Sequence, residues 1–488
     1  MPMGQSRLPA LTGLSVIAAA ALFHNLPVLS PGMRDWAEPG NVAAALVQGR
    51  GFSDPFDGGT GATAWVSPLP AWVEAAVFLP LGVKTAAAAK ALLALTVLGL
   101  AGANALLLSA LAPLGSWARL AASAAFLAYC AFLPSGPLEV LSEAWLDILI
   151  SAALLWAALE TRRAPEGRGP LALFAVSLAA PLDNAGLALA TGLVLVALAW
   201  SFRGDIRRLR TPVLAAALAT AAVGAWTGRN AVALHRFVPL KSNFWFELHL
   251  ANVDSADGLP RMETVLRKLP YFDIAEFTRY AGLGEAAYVD TFRGPALAAL
   301  RSAPGHFAGN VLRRAYDAAV FCRREGGGEF THFRFRQDDA VRLVASGELI
   351  LLGQSGTGLW TRIDAEPAAE SERLHNMGLS DEGAAWRDWA EKRLAFDASF
   401  RGAGAVATGF LSAGIPVAAL LLSALLRGGR LAEPAAWAAA IGFGMLLPFV
   451  LVNHNERHQL PLVAMQAVAI GACVQACADR LGRGPRAP

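Results

Sequence analysis

Residues 142–163 read SEAWLDILISAALLWAALETRR, and this order decides the fold. Two carboxylates, Glu143 and Asp147, open the stretch, apolar side chains fill 144–160, and Arg162-Arg163 close it. A helix needs about 20 apolar residues to cross the hydrocarbon core of a bilayer. Arginines in a short loop beside such a run mark its cytoplasmic end. One segment therefore predicts a membrane helix with its basic end inside and its acidic end outside.

The rest of the chain repeats the pattern. Of 488 residues, 55% are hydrophobic and 16% charged, with a mean hydropathy of +0.43; soluble domains carry about 25% charged residues. Further apolar runs lie near 8–29, 86–112, 117–134, 169–182, 185–201, 211–228, 403–426, 433–452 and 459–478. Basic loops form around Arg162, Arg163 and Arg168, around Arg203 to Arg210, at Arg427 and Arg430, and at Arg480 to Arg486. Each pair of basic loops is separated by an even number of crossings, so all of them sit inside. With Arg7 also inside, the apolar stretch 65–82 cannot cross. Its Pro68, Pro70 and Trp72 suit an interfacial or re-entrant helix instead. The expectation is an all-α polytopic protein of ten crossings.

Charge sorts the chain into three parts. Residues 229–402 hold more than half of the 79 charged side chains and read as a mainly helical extracytoplasmic domain inserted between the membrane modules 1–228 and 403–488. Its helices are expected over 260–320, broken near Gly282–Gly284 and at Pro304-Gly305. The net charge of +3 and the lack of basic runs interleaved with aromatics exclude a nucleic-acid partner. Four cysteines, Cys130, Cys322, Cys473 and Cys477, give neither a disulfide framework nor zinc-ligand spacing.

Chemistry concentrates outside. In the loop 30–85, Asp35 and Glu38 precede an Ala-rich helical stretch; they suit an N-cap and its capping-box partner as well as a catalytic pair. In the loop 135–143 and the span after it, Glu139, Glu143 and Asp147 share one helix face, and an ionisable group inside a span, such as Asp147, is a functional candidate. Arg236 and Lys241 open the external domain, where cations either grip phosphate or anchor at the interface. The hairpin Asn453-His454-Asn455-Glu456-Arg457-His458 crowds polar groups between two spans. His454 and His458 are one helical turn apart with no third ligand beside them, so a metal is not indicated. Nucleotide-sugar donors are scarce outside a cell. A lipid-linked phosphosugar is the fitting donor, since cations stabilise its phosphate leaving group and a carboxylate can deprotonate the acceptor hydroxyl. No P-loop, G-x-G-x-x-G, H-E-x-x-H or G-x-S-x-G element competes.

These residues resemble the GT-C membrane glycosyltransferases related to protein O-mannosyltransferases and aminoarabinose-lipid A transferases. The resemblance is carried by Asp35-x-x-Glu38 with Gly49-x-Gly51-Phe52, by Thr63-Ala64 to Ser67-Pro68-Leu69-Pro70, and by Ser142-Glu143. Its most specific part is Trp226 to Arg229-Asn230 with Arg236 to Phe244. Gly284-Glu285-Ala286-Ala287-Tyr288 and Glu456-Arg457 to Pro461 add to it. It implies inverting transfer of a sugar from a polyprenyl-phosphate donor to a glycolipid, glycan or protein at the outer face of a bacterial inner membrane. No cofactor besides the lipid-linked donor is called for, and dependence on a divalent metal is left open. Asp35 would be the base, with Glu38 beside it, and Glu143 the second-loop acid. Asp147, Arg236, Lys241, His454 and Arg457 would bind substrate, Lys241 and Arg457 taking the donor phosphate. Pro39 after the first acid pair, Pro181-Leu182-Asp183-Asn184 and the long stretch 325–402 depart from the family pattern and leave the sugar open. A lipid-sugar transporter and a non-catalytic envelope assembly protein are the alternatives; a transporter would be expected to show internal repeats and interrupted helices.

Overall fold

The computed structural model describes residues 16–18, 37–132, 143–260, 264, 268–270, 273–320, 332–335, 353–355, 358–362, 432–453, 458 and 462–481. Within them the apolar runs are helices: α1 (Ala37–Val47), α2 (Pro68–Leu81), α3 (Ala86–Ala110), α4 (Ser116–Phe132), α5 (Ala144–Arg163), α6 (Gly169–Asp183), α7 (Ala185–Ser201) and α8 (Ile206–Leu234). The polar region supplies α9 (Phe244–Asn252), α10 (Ile274–Leu283), α11 (Glu285–Ser302) and α12 (Pro304–Val320), and the last two helices are α13 (Ala432–Leu451) and α14 (Val463–Leu481). Four of these, α3, α5, α8 and α13, are long and apolar enough to cross a membrane, and α2, α6, α7 and α14 are shorter apolar helices. The chain is an integral membrane protein. The expected crossings near 8–29 and 403–426 lie, but for residues 16–18, outside the described residues.

Contacts at the helix ends sort them into two sets. Arg162 pairs with Glu433 at 3.1 Å, the Arg163 guanidinium donates to the Ala110 carbonyl at 3.2 Å, and the Gly115 amide donates to Gln475 at 2.7 Å. Residues flanking three different loops thus meet at one end of the bundle, the basic end. At the opposite end Asn184 bonds Asp147, Arg229 bonds the carbonyls of Phe52 and Thr63, and Asn453 bonds Glu247.

Helix α2 begins and finishes at this second end. Just before it, the Ala64 carbonyl accepts from the Ser242 amide at 2.9 Å. Just after it, Lys84 Nζ donates to Asn41 Oδ1 at 2.5 Å. A 14-residue helix is about 21 Å long, short of the roughly 30 Å core. Both flanks of α2 are thus tied to the same end of the bundle.

Packing inside the bundle is closest between α7 and α13. A Cβ on Gly444 would lie 2.5 Å from the Cα of Ala190, and one on Gly186 would lie 2.3 Å from the Met445 carbonyl oxygen. Small residues let the two backbones touch, which is how membrane helices gain dispersion contact without a hydrophobic driving force. Helices α6 and α7 are joined without a loop. Asn184 leaves the helical region (φ −154, ψ 165) and its side chain caps α7 by accepting from the Leu187 amide at 2.8 Å.

Outside the bundle a second core forms from Phe52, Phe56, Trp65, Trp226, Phe246, Tyr280, Tyr288 and Phe292. Their rings meet edge to face, as between Phe56 and Tyr280 at 4.8 Å and Phe246 and Phe292 at 5.2 Å, each such pair worth roughly 0.5–1.5 kcal/mol beyond burial. The predicted break at Gly284 is real: with φ 75 it ends α10 and starts α11, a conformation open to glycine at little cost. The polar insert is not wholly helical. Strands β1 (His332–Phe335), β2 (Gly353–Ser355) and β3 (Gly358–Arg362) form an antiparallel sheet of order β1-β3-β2.

Candidate functional site

The site end is assembled by α8. Its 29 residues make a rod of about 44 Å, so its last turns stand clear of the hydrocarbon layer. Those turns hold the segment 236–242. Trp226 Nε1 donates to the Leu240 carbonyl at 2.8 Å, Thr227 Oγ1 to Pro239 at 3.3 Å, and Asn230 Nδ2 to Val238 at 2.9 Å. His235, left-handed at φ 52, turns the chain back. Opposite this staple the Arg229 guanidinium grips the first loop through Phe52 and Thr63 and lies 5.2 Å over the rings of both Phe52 and Trp226. Lys241 is therefore delivered by a rigid strap.

The strap brings Lys241 within Coulombic reach of Asp147. Asp147 lies in the first turn of α5, half-buried, and accepts from Asn184 Nδ2. It is also in hydrogen-bond contact with Asp183, the last residue of α6. Glu143, exposed at the start of α5, acts electrostatically on Asp147, Asp183 and Glu74. Glu74 sits on α2, 8% exposed. Burial, with Glu143 adding to it and Lys84 opposing, pushes its carboxyl well above the usual range. Four carboxyl groups and two lysines thus ring one region at the outer layer of the bundle. Among the described residues no three His, Cys, Asp or Glu side chains converge as a metal site.

Glu285 is the anchor beneath the first loop. It accepts from Thr63 Oγ1, from the Ala64 amide at 2.7 Å and from the Tyr280 hydroxyl at 2.7 Å. Burial raises its carboxyl despite these donors. On the far side Glu247 accepts from Asn243 Nδ2 at 3.1 Å and from Asn453, tying the strap to the C-terminal hairpin. Arg314, fully buried on α12, seals the end of α13 by donating to the Val450 carbonyl at 2.6 Å and the Leu451 carbonyl at 3.2 Å. Burial pulls its guanidinium down to about 10.

Of the residues singled out from sequence, Glu143, Asp147 and Lys241 are brought together. Glu38 lies half-buried in the first turn of α1. Arg236 is placed elsewhere, in a two-pronged ion pair with Asp290. Asp35, His454 and Arg457 lie outside the described residues, as does Glu139. Glu74, Asp183, Asn184 and Glu247 were not among the candidates. Glu74 carried the same signal as Asp147, a lone acid in an apolar helix.

No family model and no curated protein matches the chain. Among solved structures it is similar to GT-C fold glycosyltransferases. An Archaeoglobus fulgidus oligosaccharyltransferase in complex with Zn and sulfate aligns at 12% identity and a TM-score of 0.41, over 96% of this chain and 49% of that one. The oligosaccharyltransferase AglB of the same organism, with an inhibitory peptide and a dolichol-phosphate, aligns at 12% and 0.42, over 99% and 53%. ArnT from Cupriavidus metallidurans bound to undecaprenyl phosphate aligns at 14% and 0.36, over 93% and 90%. The chain spans about half the length of the archaeal structures it matches. At these identities and scores no residue's role transfers.

Proposed function

We propose that the protein is a membrane glycosyltransferase that moves a sugar from a polyprenyl-phosphate donor to an acceptor on the extracytoplasmic side, with inversion. The observation that carries the reading is the delivery of Lys241 by a rigid strap to the carboxylates Glu143 and Asp147, at the end of the bundle opposite the basic loops. A cation at the lipid-headgroup layer can hold a phosphate leaving group. A carboxylate in the same region can take the acceptor's proton. Asp35 is the proposed base, with Glu38 beside it, and Arg457 and His454 the proposed partners of Lys241 on the phosphate; these roles rest on the sequence resemblance.

The balance of the step is simple. The acceptor oxygen forms a bond to the anomeric carbon as the bond to the phosphate oxygen breaks. The proton goes to the base, and polyprenyl phosphate leaves with the electron pair. The test is incubation of the purified full chain in nanodiscs with a radiolabelled polyprenyl-phosphate sugar and a cell-envelope extract as acceptor source. A glycosidic product that disappears in Asp35→Asn supports the reading. A label that crosses the bilayer still attached to its lipid, with no product, would assign transport instead.

A further inference from the structure

Two helices of the bundle that pack against one another carry a single charged residue each, and both residues are buried. In α2, Pro68–Leu81, the one charged side chain is Glu74; in α6, Gly169–Asp183, it is Asp183. They are 8% and 3% exposed. Glu74 Oε2 and Asp183 Oδ2 are each without a hydrogen-bond partner. The other contacts of Asp183 run to Asp147, and Glu143 acts on both acids. Helix α2 packs on α6, so the two orphaned oxygens come from two walls of one region beside Glu143. Burying a carboxyl oxygen without a donor is costly.

We propose that Glu74 and Asp183 form a sugar-hydroxyl subsite, taking hydroxyl groups of a neutral, polyhydroxylated ring whose phosphate lies toward Lys241. The inference rests on the glycosyltransferase reading and adds the substrate class to it. Ring hydroxyls supply the donors that the two oxygens lack, and a carboxyl held toward its neutral form at Glu74 also donates to an oxygen of the ring. A sugar carrying its own carboxylate is disfavoured, because the exposed Glu143 carboxylate beside the subsite would repel it. Helix α2 lies along the headgroup layer, so Glu74 meets a ring attached to a lipid phosphate without that lipid leaving the bilayer.

The test uses the full chain in nanodiscs and equilibrium binding of farnesyl phosphate, bare or linked to mannose, glucose, galactose, arabinose or glucuronate. Wild type is expected to prefer at least one neutral glycosyl phosphate over the bare lipid phosphate by about tenfold or more, the worth of one or two hydrogen bonds to a charged or buried group. Glucuronate should give no gain. Glu74→Ala and Asp183→Ala should each lose most of that preference while binding bare farnesyl phosphate within about twofold of wild type. Glu74→Gln, which keeps one acceptor and one donor, should recover part of it. Thermal unfolding separates this role from a structural one: Glu74→Gln and Glu74→Ala should melt no lower than wild type, because the buried Oε2 has no hydrogen-bond donor to lose. A lowered melting temperature in Glu74→Gln overturns the proposal, as does a preference that survives both alanine variants or a glucuronate probe that binds tightest. Wild type that binds no farnesyl phosphate in any form overturns the glycosyltransferase reading itself, and the subsite with it.

Discussion

The anchor of the first loop offers the sharpest test of the architecture. In Glu285→Ala, three donors lose their acceptor at once: Thr63 Oγ1, the Ala64 amide and the Tyr280 hydroxyl. Thr63, Ala64 and Tyr280 are each 0% exposed, so water does not replace the carboxylate without opening the loop. A buried donor left unpaired costs about 1–3 kcal/mol, and three donors on one acceptor are not additive. A net loss of about 3–5 kcal/mol of local stability follows. At roughly 1.4 kcal/mol per factor of ten, that is a hundredfold to a few thousandfold more frequent opening. Amide hydrogen exchange of peptides spanning 52–66 in the full chain reads it directly, since the membrane helices stay folded and a global melting temperature would dilute the effect. The pH dependence adds a sign. Burial raises the Glu285 carboxyl above 4.5, so its contribution is complete below the ordinary value and declines as pH rises through the raised one. After correction for intrinsic exchange, protection of 52–66 should fall with rising pH in wild type and stay flat in Glu285→Gln. Protection within threefold of wild type in Glu285→Ala, or a Gln variant that tracks the wild-type pH curve, would refute the anchoring of the loop by this group.

Gly444→Leu forces a side chain into the 2.5 Å gap at Ala190 Cα, and overpacking of this kind costs about 1–3 kcal/mol or more; detergent-solubilised protein should melt several degrees lower, whereas the same change at Gly192, which has open space, should not. Arg314→Met strips the cap from the Val450 and Leu451 carbonyls, and removal of a fully buried charged partner costs about 3–5 kcal/mol; proteolysis in the hairpin after Asn453 should accelerate while cleavage at the basic end does not. Arg236 and Asp290 are both about a third or more exposed, so truncating either should change stability by less than about 1 kcal/mol. If Arg236 contacts substrate, Arg236→Ala will weaken binding of a lipid-linked sugar and Asp290→Ala will not; equal effects of both would assign the pair to the scaffold.

Much of the bundle was legible because bilayer-length apolar runs need no tertiary knowledge. The parity of basic loops put 65–82 on one side of the membrane, since loop charge is a global constraint readable locally; the bonds at Ala64 and Lys84 tie both ends of α2 to one end of the bundle. The α8 boundary was missed because the helix continues through polar residues: 211–228 was expected and Ile206–Leu234 found. There Asp205 caps the start, and the staple to 238–240 stabilises the end, a tertiary effect invisible to hydropathy. Glu285 could not be recognised as an anchor, because Thr63 and Ala64 lie more than 220 positions away. Of the site, Glu143, Asp147 and Lys241 followed from chemistry at span ends. Asp183 was noticed only as a departure from a motif, although a buried acid at a helix break was the larger signal. The role of Arg236 depends on Asp290, a partner 54 positions along the chain that no local pattern reveals.

The length of α8 has one more consequence. A stiff helix of about 44 Å with its start at the basic end of the bundle acts as a ruler. It sets the height of Lys241 above the membrane midplane, while the thickness of the surrounding lipid sets the height of the phosphates. The two agree only in bilayers of matching thickness, and mismatch costs fractions of a kcal/mol per ångström. If the protein takes a lipid-linked phosphate at Lys241, as proposed, lipid composition therefore tunes how deeply that phosphate must rise to meet the lysine, without any change in the protein's fold.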